Sequence, residues 1–355
     1  MVNIGLIGAG RIAGHHIRAI KKFKSLKIVA MCDLHFNKLE NHKIDNKVNK
    51  YNHYEEMLKS EKKIDLVVVM TPSGMHYEHA KKIITKYKKN IIIEKPICLK
   101  ASQVTELYKL AKKNKVKVFP VFQNRYNKAI KFLKKKQTMD ALGKLRIISV
   151  QVRWCRPQRY YDLADWRGTF SHDGGALTNQ GIHHLDAMRY LCGELKTVNA
   201  KMSTLGAKIE VEDSVVANFE LRNGALGTLE ITTSARPKDY NATISLVGSK
   251  GLAQIGGLAL NELQIYSPNQ KLCKMNSEKI PTAYGFGHFS FYRDIKNYFS
   301  NSTKFPVSFD DCLKTINLLN SFYISDEIKN SVNPMKIKDS KRLGTKNDKI
   351  SKKYR

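Results

Sequence analysis

The sequence predicts an α/β unit built on a parallel sheet, followed by an α+β unit whose sheet has one buried and one free face. Three observations carry that prediction. Up to about Val121, short continuous apolar runs alternate with amphipathic stretches, the pattern of strands and helices in a sheet covered on both sides. From about Leu145 the segments lengthen and alternate apolar with polar side chains, as a half-exposed sheet requires. A glycine-rich turn joins the first apolar run directly to the first amphipathic one. With 355 residues, 42% of them apolar, the chain is long enough to enclose two cores.

Taken in order, residues 2–7 read as a strand, 12–23 as a helix and 26–31 as a second strand. A short helix over 54–59, a strand over 66–70, a helix over 77–87 and a strand over 90–93 follow, then a helix over 102–114 and a strand over 117–121. Alternating strands are expected over 146–154, 197–202, 213–221, 225–233 and 241–247. Two helices, 181–191 and 309–329, complete the second unit. The expected divisions are therefore 1–122, 123–334 and a loosely held, lysine-rich basic tail from 335 to 355.

Composition narrows the function. Sixty-two Lys and Arg against 31 Asp and Glu leave a formal charge of +31. The lysines are spread along the chain, as on a solvated surface, so no nucleic acid is expected as a partner; a basic surface around a cleft would still favour an anionic substrate. No run reaches the roughly 18 apolar residues of a membrane-spanning helix, and the chain opens on a strand with no charged leader, which points away from the membrane and to the cytoplasm. Cys32, Cys98, Cys155, Cys192, Cys273 and Cys312 form no Cys-x-x-Cys pair, so reduced thiols are expected, with neither a disulfide framework nor a metal site.

Four constellations carry chemistry. Gly8-Ala9-Gly10-Arg11-Ile12-Ala13 lies between strand and helix, where Gly8 permits the tight turn and Gly10 admits a pyrophosphate to the helix N-terminus. Asp33 ends the second strand, placed to accept hydrogen bonds from a ribose and to repel an additional phosphate, which favours NAD over NADP. Thr71-Pro72-Ser73-Gly74-Met75-His76 follows a buried strand at the same sheet edge and would line the cofactor, although His76 is equally suited to packing against the next helix. Glu94-Lys95-Pro96 ends another strand there, with Lys95 suited to polarise a substrate hydroxyl. The run from Gly174-Gly175 to Asp186 opens a helix on which Asn179 and His183, four residues apart, share one face beside His184. A neutral His183 can accept a hydroxyl proton.

Together these motifs resemble the Gfo/Idh/MocA oxidoreductase family over about residues 2–330. The resemblance implies a Rossmann domain followed by a mixed, largely antiparallel sheet whose open face supports a homo-oligomer, dimer or tetramer. It also implies that Lys95 and His183 contact the reacting hydroxyl. Where the family usually has Asp, four residues before the histidine, this chain has Asn179, which cannot relay a proton as a carboxylate does.

A closer similarity lies in Phe122-Gln123-Asn124-Arg125-Tyr126-Asn127 and in the run from Arg153 to Thr169. Those stretches resemble the bacterial UDP-N-acetyl-2-amino-2-deoxyglucuronate dehydrogenases, which oxidise a sugar 3-hydroxyl for polysaccharide biosynthesis. The similarity implies an anionic nucleotide sugar as substrate and places Gln123 with the cofactor. It makes Arg125, Arg153, Arg156, Tyr160, Tyr161, Trp166, Arg167, Asn179, His183 and His184 candidate substrate contacts. Arginine forks suit carboxylate and diphosphate, and aromatic faces suit sugar or base. Tyr284, in the Gly-rich stretch Tyr284-Gly285-Phe286-Gly287-His288, is a candidate for a loop that closes over the site. The alternatives are a dehydrogenase of a free polyol such as myo-inositol and a non-catalytic dinucleotide-binding regulator.

Overall fold

The computed structural model describes residues 1–336 and 338–355 and contains two sheets. The first comprises β1 (Val2–Ile7), β2 (Leu26–Cys32), β3 (Asn49–Tyr51), β4 (Leu66–Val69), β5 (Asn90–Ile93) and β6 (Val118–Pro120). All six run parallel, in the order β3-β2-β1-β4-β5-β6. Every side chain of β4 is buried, as are Ile91, Ile92 and Ile93. A strand with no solvent face has no reason to alternate, which is why these runs read as continuous. The strand order reverses between β1 and β4, opening a crevice at their carboxyl ends.

The second sheet comprises β7 (Leu145–Arg153), β8 (Leu195–Ser203), β9 (Ser214–Leu221), β10 (Leu226–Thr232), β11 (Asn241–Gly248), β12 (Leu252–Gly256) and β13 (Glu262–Tyr266). Its order is β13-β12-β11-β7-β10-β9-β8, antiparallel except where β7 meets β10. Ile148, Val150 and Val152 of β7, with Leu229, Ile231, Ile244 and Leu246, point into the core. The Phe309–Ile328 helix packs along β8, where Ser325 Oγ and Asp326 Oδ1 accept the backbone N–H groups of Ala200 and Met202. On the opposite face Ile147, Leu226 and Leu252 are exposed.

Three of the departures from the sequence expectation bear on the site and its supports. β3 is a polar, three-residue edge strand with no apolar run to betray it. A helix over Gly287–Asn301 returns from the second unit to pack on the Ala13–Ile20 helix of the first, with Tyr292 Oη 2.8 Å from His16 Nδ1. The basic tail expected to be loosely held is instead seated along residues 338–355. Leu343 and Ile350 are buried there, Asp339 accepts from the N–H and hydroxyl of Ser102, and Gly344 N–H donates to Phe170 O at 2.8 Å. Lysine-rich composition hid these anchors. Among the described residues no disulfide forms, and no helix is long and apolar enough to cross a membrane.

Candidate active site

At the end of β1, Gly8 adopts φ +100°, and a Cβ there would lie 2.7 Å from Met70 O, so only glycine fits. Asp33 stabilises this turn across the crevice: its Oδ2 accepts from Ala9 N at 2.8 Å and its Oδ1 from His35 N at 2.9 Å. Above Gly10 the space is open, since a Cβ would meet nothing within 4 Å. Gly10 and Arg11 are exposed and Ile12 half-buried at the mouth. A close-approach turn, a helix start and a positioned carboxylate at the switch point are what NAD needs, and the residues present fit it.

The next wall is the loop after β4. Thr71 and Pro72 are half-buried and Ser73 buried, while Gly74 N–H donates to His172 O at 3.0 Å. His76 does not line the cleft with its side chain: it is buried, with its ring nitrogens 2.7 Å from Pro96 O and 2.8 Å from Thr71 O. It therefore ties two loops together from behind. Glu94 is likewise turned inward. Its Oε1 accepts from His16 Nε2 at 2.8 Å and His288 Nε2 at 3.4 Å, and its Oε2 from Lys95 N at 3.0 Å. Burial opposes its ionisation, but the two histidine hydrogen bonds hold its carboxyl well below the ordinary range. Burial also lowers the His16 pKa, so a neutral imidazole with Nε2–H toward Glu94 suits both partners.

Lys95 extends from this support into the cleft, where its Nζ donates to Asn179 O at 2.7 Å. Burial lowers its pKa from 10.5, against the pull of the Glu94 and Asp173 carboxylates. Asn179 and His183 arrive from the second unit. Gly174 and Gly175 both take positive φ, after which Leu177–Gly181 winds as a wide π-turn into the Ile182–Cys192 helix. Lys95, Asn179 and His183 thus meet between the units. Gln123 Nε2 lies 3.4 Å from His183 Nε2 and donates to it, leaving the histidine proton on Nδ1. Burial first, then the neighbouring Lys95 ammonium, holds the His183 pKa well below 6.5.

An aromatic and basic wall adjoins them. Arg167 Nη1 donates to Tyr160 Oη at 2.7 Å, and its guanidinium lies 4.5 Å from the ring centres of both Tyr160 and Trp166. Arg156 pairs with Asp239 at 2.9 Å and lies over Trp154 and Tyr160. Tyr284 packs against His15 with ring centres 4.2 Å apart, so its loop rests on the helix that follows the Gly8–Gly10 turn. Tyr161 is buried with its hydroxyl on Thr233 Oγ1 at 3.0 Å, under the same wall.

Three expected substrate contacts lie elsewhere. Arg125 is 7% exposed, with its fork committed to Asp186 and Asp311. Arg153 pairs with Glu230 on the outer face of the second sheet, at 2.6 Å. His184 points into the core edge-on to Trp154, opposite in role to its neighbour His183. One residue was missed: Asp173, fully buried, which accepts from Asn179 Nδ2 and from Gly168 N at 2.8 Å. Its only signal in the sequence is a carboxylate immediately before the glycine pair.

Both units match known families. Residues 2–122 match the model of the oxidoreductase family with an NAD-binding Rossmann fold, and residues 131–254 match the GFO/IDH/MocA C-terminal domain. The WlbA dehydrogenase from Bordetella pertussis, solved with NADH and UDP-GlcNAcA, is 29% identical at a TM-score of 0.87, covering 94% of this chain and 97% of that one. The WlbA dehydrogenase from Chromobacterium violaceum, solved with the same two ligands, is 31% identical at 0.85, covering 94% and 95%. Myo-inositol 2-dehydrogenase from Thermotoga maritima is 28% identical over 258 residues, 70% of this chain and 74% of that protein.

Proposed function

Since the chain belongs to the GFO/IDH/MocA oxidoreductase family and is an NAD-dependent sugar dehydrogenase, we propose that it oxidises the 3-hydroxyl of a UDP-linked N-acetylglucosaminuronic acid to the 3-keto nucleotide sugar, for surface polysaccharide biosynthesis. The observation that carries the choice of substrate is the wall of Arg156, Tyr160, Trp166 and Arg167 beside Lys95 and His183. Two guanidinium groups held flat by aromatic rings suit a carboxylate and a diphosphate, and Arg167 Nε is buried without a partner among the described residues. The two WlbA enzymes, solved with UDP-GlcNAcA, support the same reading.

Bound NAD supplies the hydride acceptor. His183, kept neutral, takes the hydroxyl proton on Nε2 once the sugar hydroxyl displaces the Gln123 amide from that lone pair, and Lys95 donates a hydrogen bond to the same oxygen as negative charge builds on it. Asn179 holds Lys95 through its carbonyl and orients the sugar. The exposed apolar face of the second sheet supports a homo-oligomer.

Nicotinamide reduction on adding UDP-GlcNAcA and NAD to the protein, with and without 2-oxoglutarate, tests the assignment beside a His183→Asn control. Turnover that disappears in the control supports both substrate class and base. Absence of turnover despite NAD binding, with activity on a free polyol, transfers the assignment to the second reading, which the myo-inositol 2-dehydrogenase relative favours.

A further inference from the structure

Position 179 of the site carries an amide, four residues before His183. The structure holds a carboxylate one hydrogen bond away. Asp173 sits at the end of the Gly168–Asp173 turn, 1% exposed, with Gly168 N–H on its Oδ2 at 2.8 Å and the Asn179 amide on its Oδ1. Asn179 in turn receives the Lys95 ammonium on its backbone carbonyl at 2.7 Å. The amide cannot rotate freely, because its Oδ1 also accepts from Gln180 Nε2 at 3.2 Å. We propose that Asp173 is the positioning residue of the reaction: it supplies from behind the carboxylate that position 179 lacks, fixing Asn179 and keeping Lys95 an ammonium ion.

The inference rests on the dehydrogenase reading above, and its chemistry follows from burial. An isolated ammonium in this pocket loses hydration and tends to release its proton. The charged and titratable groups acting on Lys95 are Glu94, Asp173, Arg156 and Arg167, with the neutral rings of His183 and His76 alongside. Two of these are cations that push the Lys95 proton off. Glu94 and, after it, Asp173 pull the other way, and Asp173 is the carboxylate bonded to the residue, Asn179, that holds the Lys95 ammonium. Asp173 itself has its pKa raised by burial, against the N–H of Gly168, the Asn179 amide, Arg167 and Lys95. It touches no reacting atom and acts through Asn179 and Lys95.

The test needs no substrate. The pH midpoint for acetylation of Lys95 by acetic anhydride, read by peptide mass spectrometry on the purified full chain, reports the state of its amine. In Asp173→Asn that midpoint is expected to fall by about 1 unit. In the exchanged pair Asp173→Asn with Asn179→Asp, which keeps one carboxylate and one amide in the same pocket, it is expected to return toward the native value. With active substrate, kcat of Asp173→Asn falls by about tenfold or more, its alkaline limb moves to lower pH, and KM for NAD stays within about twofold. An unchanged Lys95 midpoint in Asp173→Asn overturns the proposal, as does an exchanged pair whose midpoint stays low. Because Lys95 labelling is independent of turnover, lack of activity on every sugar would defeat the substrate reading and leave this test intact.

Discussion

Glu212 lies under the Gly174-Gly175 turn, so close that a Cβ on Gly175 would fall 2.2 Å from its carboxylate. Its Oε1 accepts from Leu177 N at 3.1 Å and Tyr323 Oη at 2.8 Å, while Oε2 has no partner among the described residues. Burial pushes its pKa up from 4.5 to about 8. A folded value above the unfolded one means that the stability from the neutral acid is complete below pH 4.5 and is lost as pH rises through about 8. Glu212→Gln is therefore expected to be more stable than the native chain at pH 8, by about 1–3 kcal/mol, and to match it near pH 5; thermal melts at the two pH values decide. At the reacting end, Lys95→Met and His183→Asn should each lower kcat by about 10²–10⁴-fold with NAD affinity retained, measured by steady-state kinetics and fluorescence titration. Lys95 and His183 could be picked out because each lies inside a recognisable motif. Asp173 and Glu212 could not, since a lone acid has no period and its role is created by burial. Arg125 misled for the converse reason: its partners Asp186 and Asp311 lie 61 and 186 residues away in the chain.

Among elements, the closing segment departs furthest from expectation. His79 Nε2 donates to Tyr354 O at 3.0 Å while its Nδ1 lies 3.0 Å from Thr71 Oγ1, so the chain end supports the cofactor loop through one ring. On the other side Ser351 Oγ lies 3.2 Å from His172 Nε2, and Lys353 pairs with Asp165. Arg355 adds a surface pair with Glu78 at 2.7 Å. Deleting residues 345–355 is expected to weaken NAD binding by about three- to tenfold, the worth of one or two hydrogen bonds. Unchanged affinity by fluorescence titration would show that the segment braces the second unit alone. β4 and β5 were legible as unbroken apolar strands. β12, β13 and this segment were not, because five-residue strands and a lysine-rich terminus carry too little pattern to separate from loops.

At the scale of the molecule, the two sheets divide labour: the parallel sheet presents the cofactor mouth, and the second presents Asn179 and His183 on one side while leaving a face outward. On that face Leu252, Val247, Ile147 and Leu226 stand in register across four adjacent strands. Leu226→Glu is expected to shift the solution mass toward the monomer by light scattering with the fold retained; an unchanged mass would place any subunit contact elsewhere. The charge of +31 acts over the same scale, and KM for an anionic nucleotide sugar is expected to rise with salt more steeply than KM for a neutral polyol. The docked terminus has a further consequence, in time. Asp339, Gly344, Tyr354 and Arg355 brace Ser102, Phe170, His79 and Glu78, which are all translated long before them. On the ribosome, the parallel sheet can form while its cofactor loop still lacks a brace. The cleft reaches its finished shape only after residues 339–355 have emerged, so the tightest cofactor binding is expected to follow synthesis of that segment.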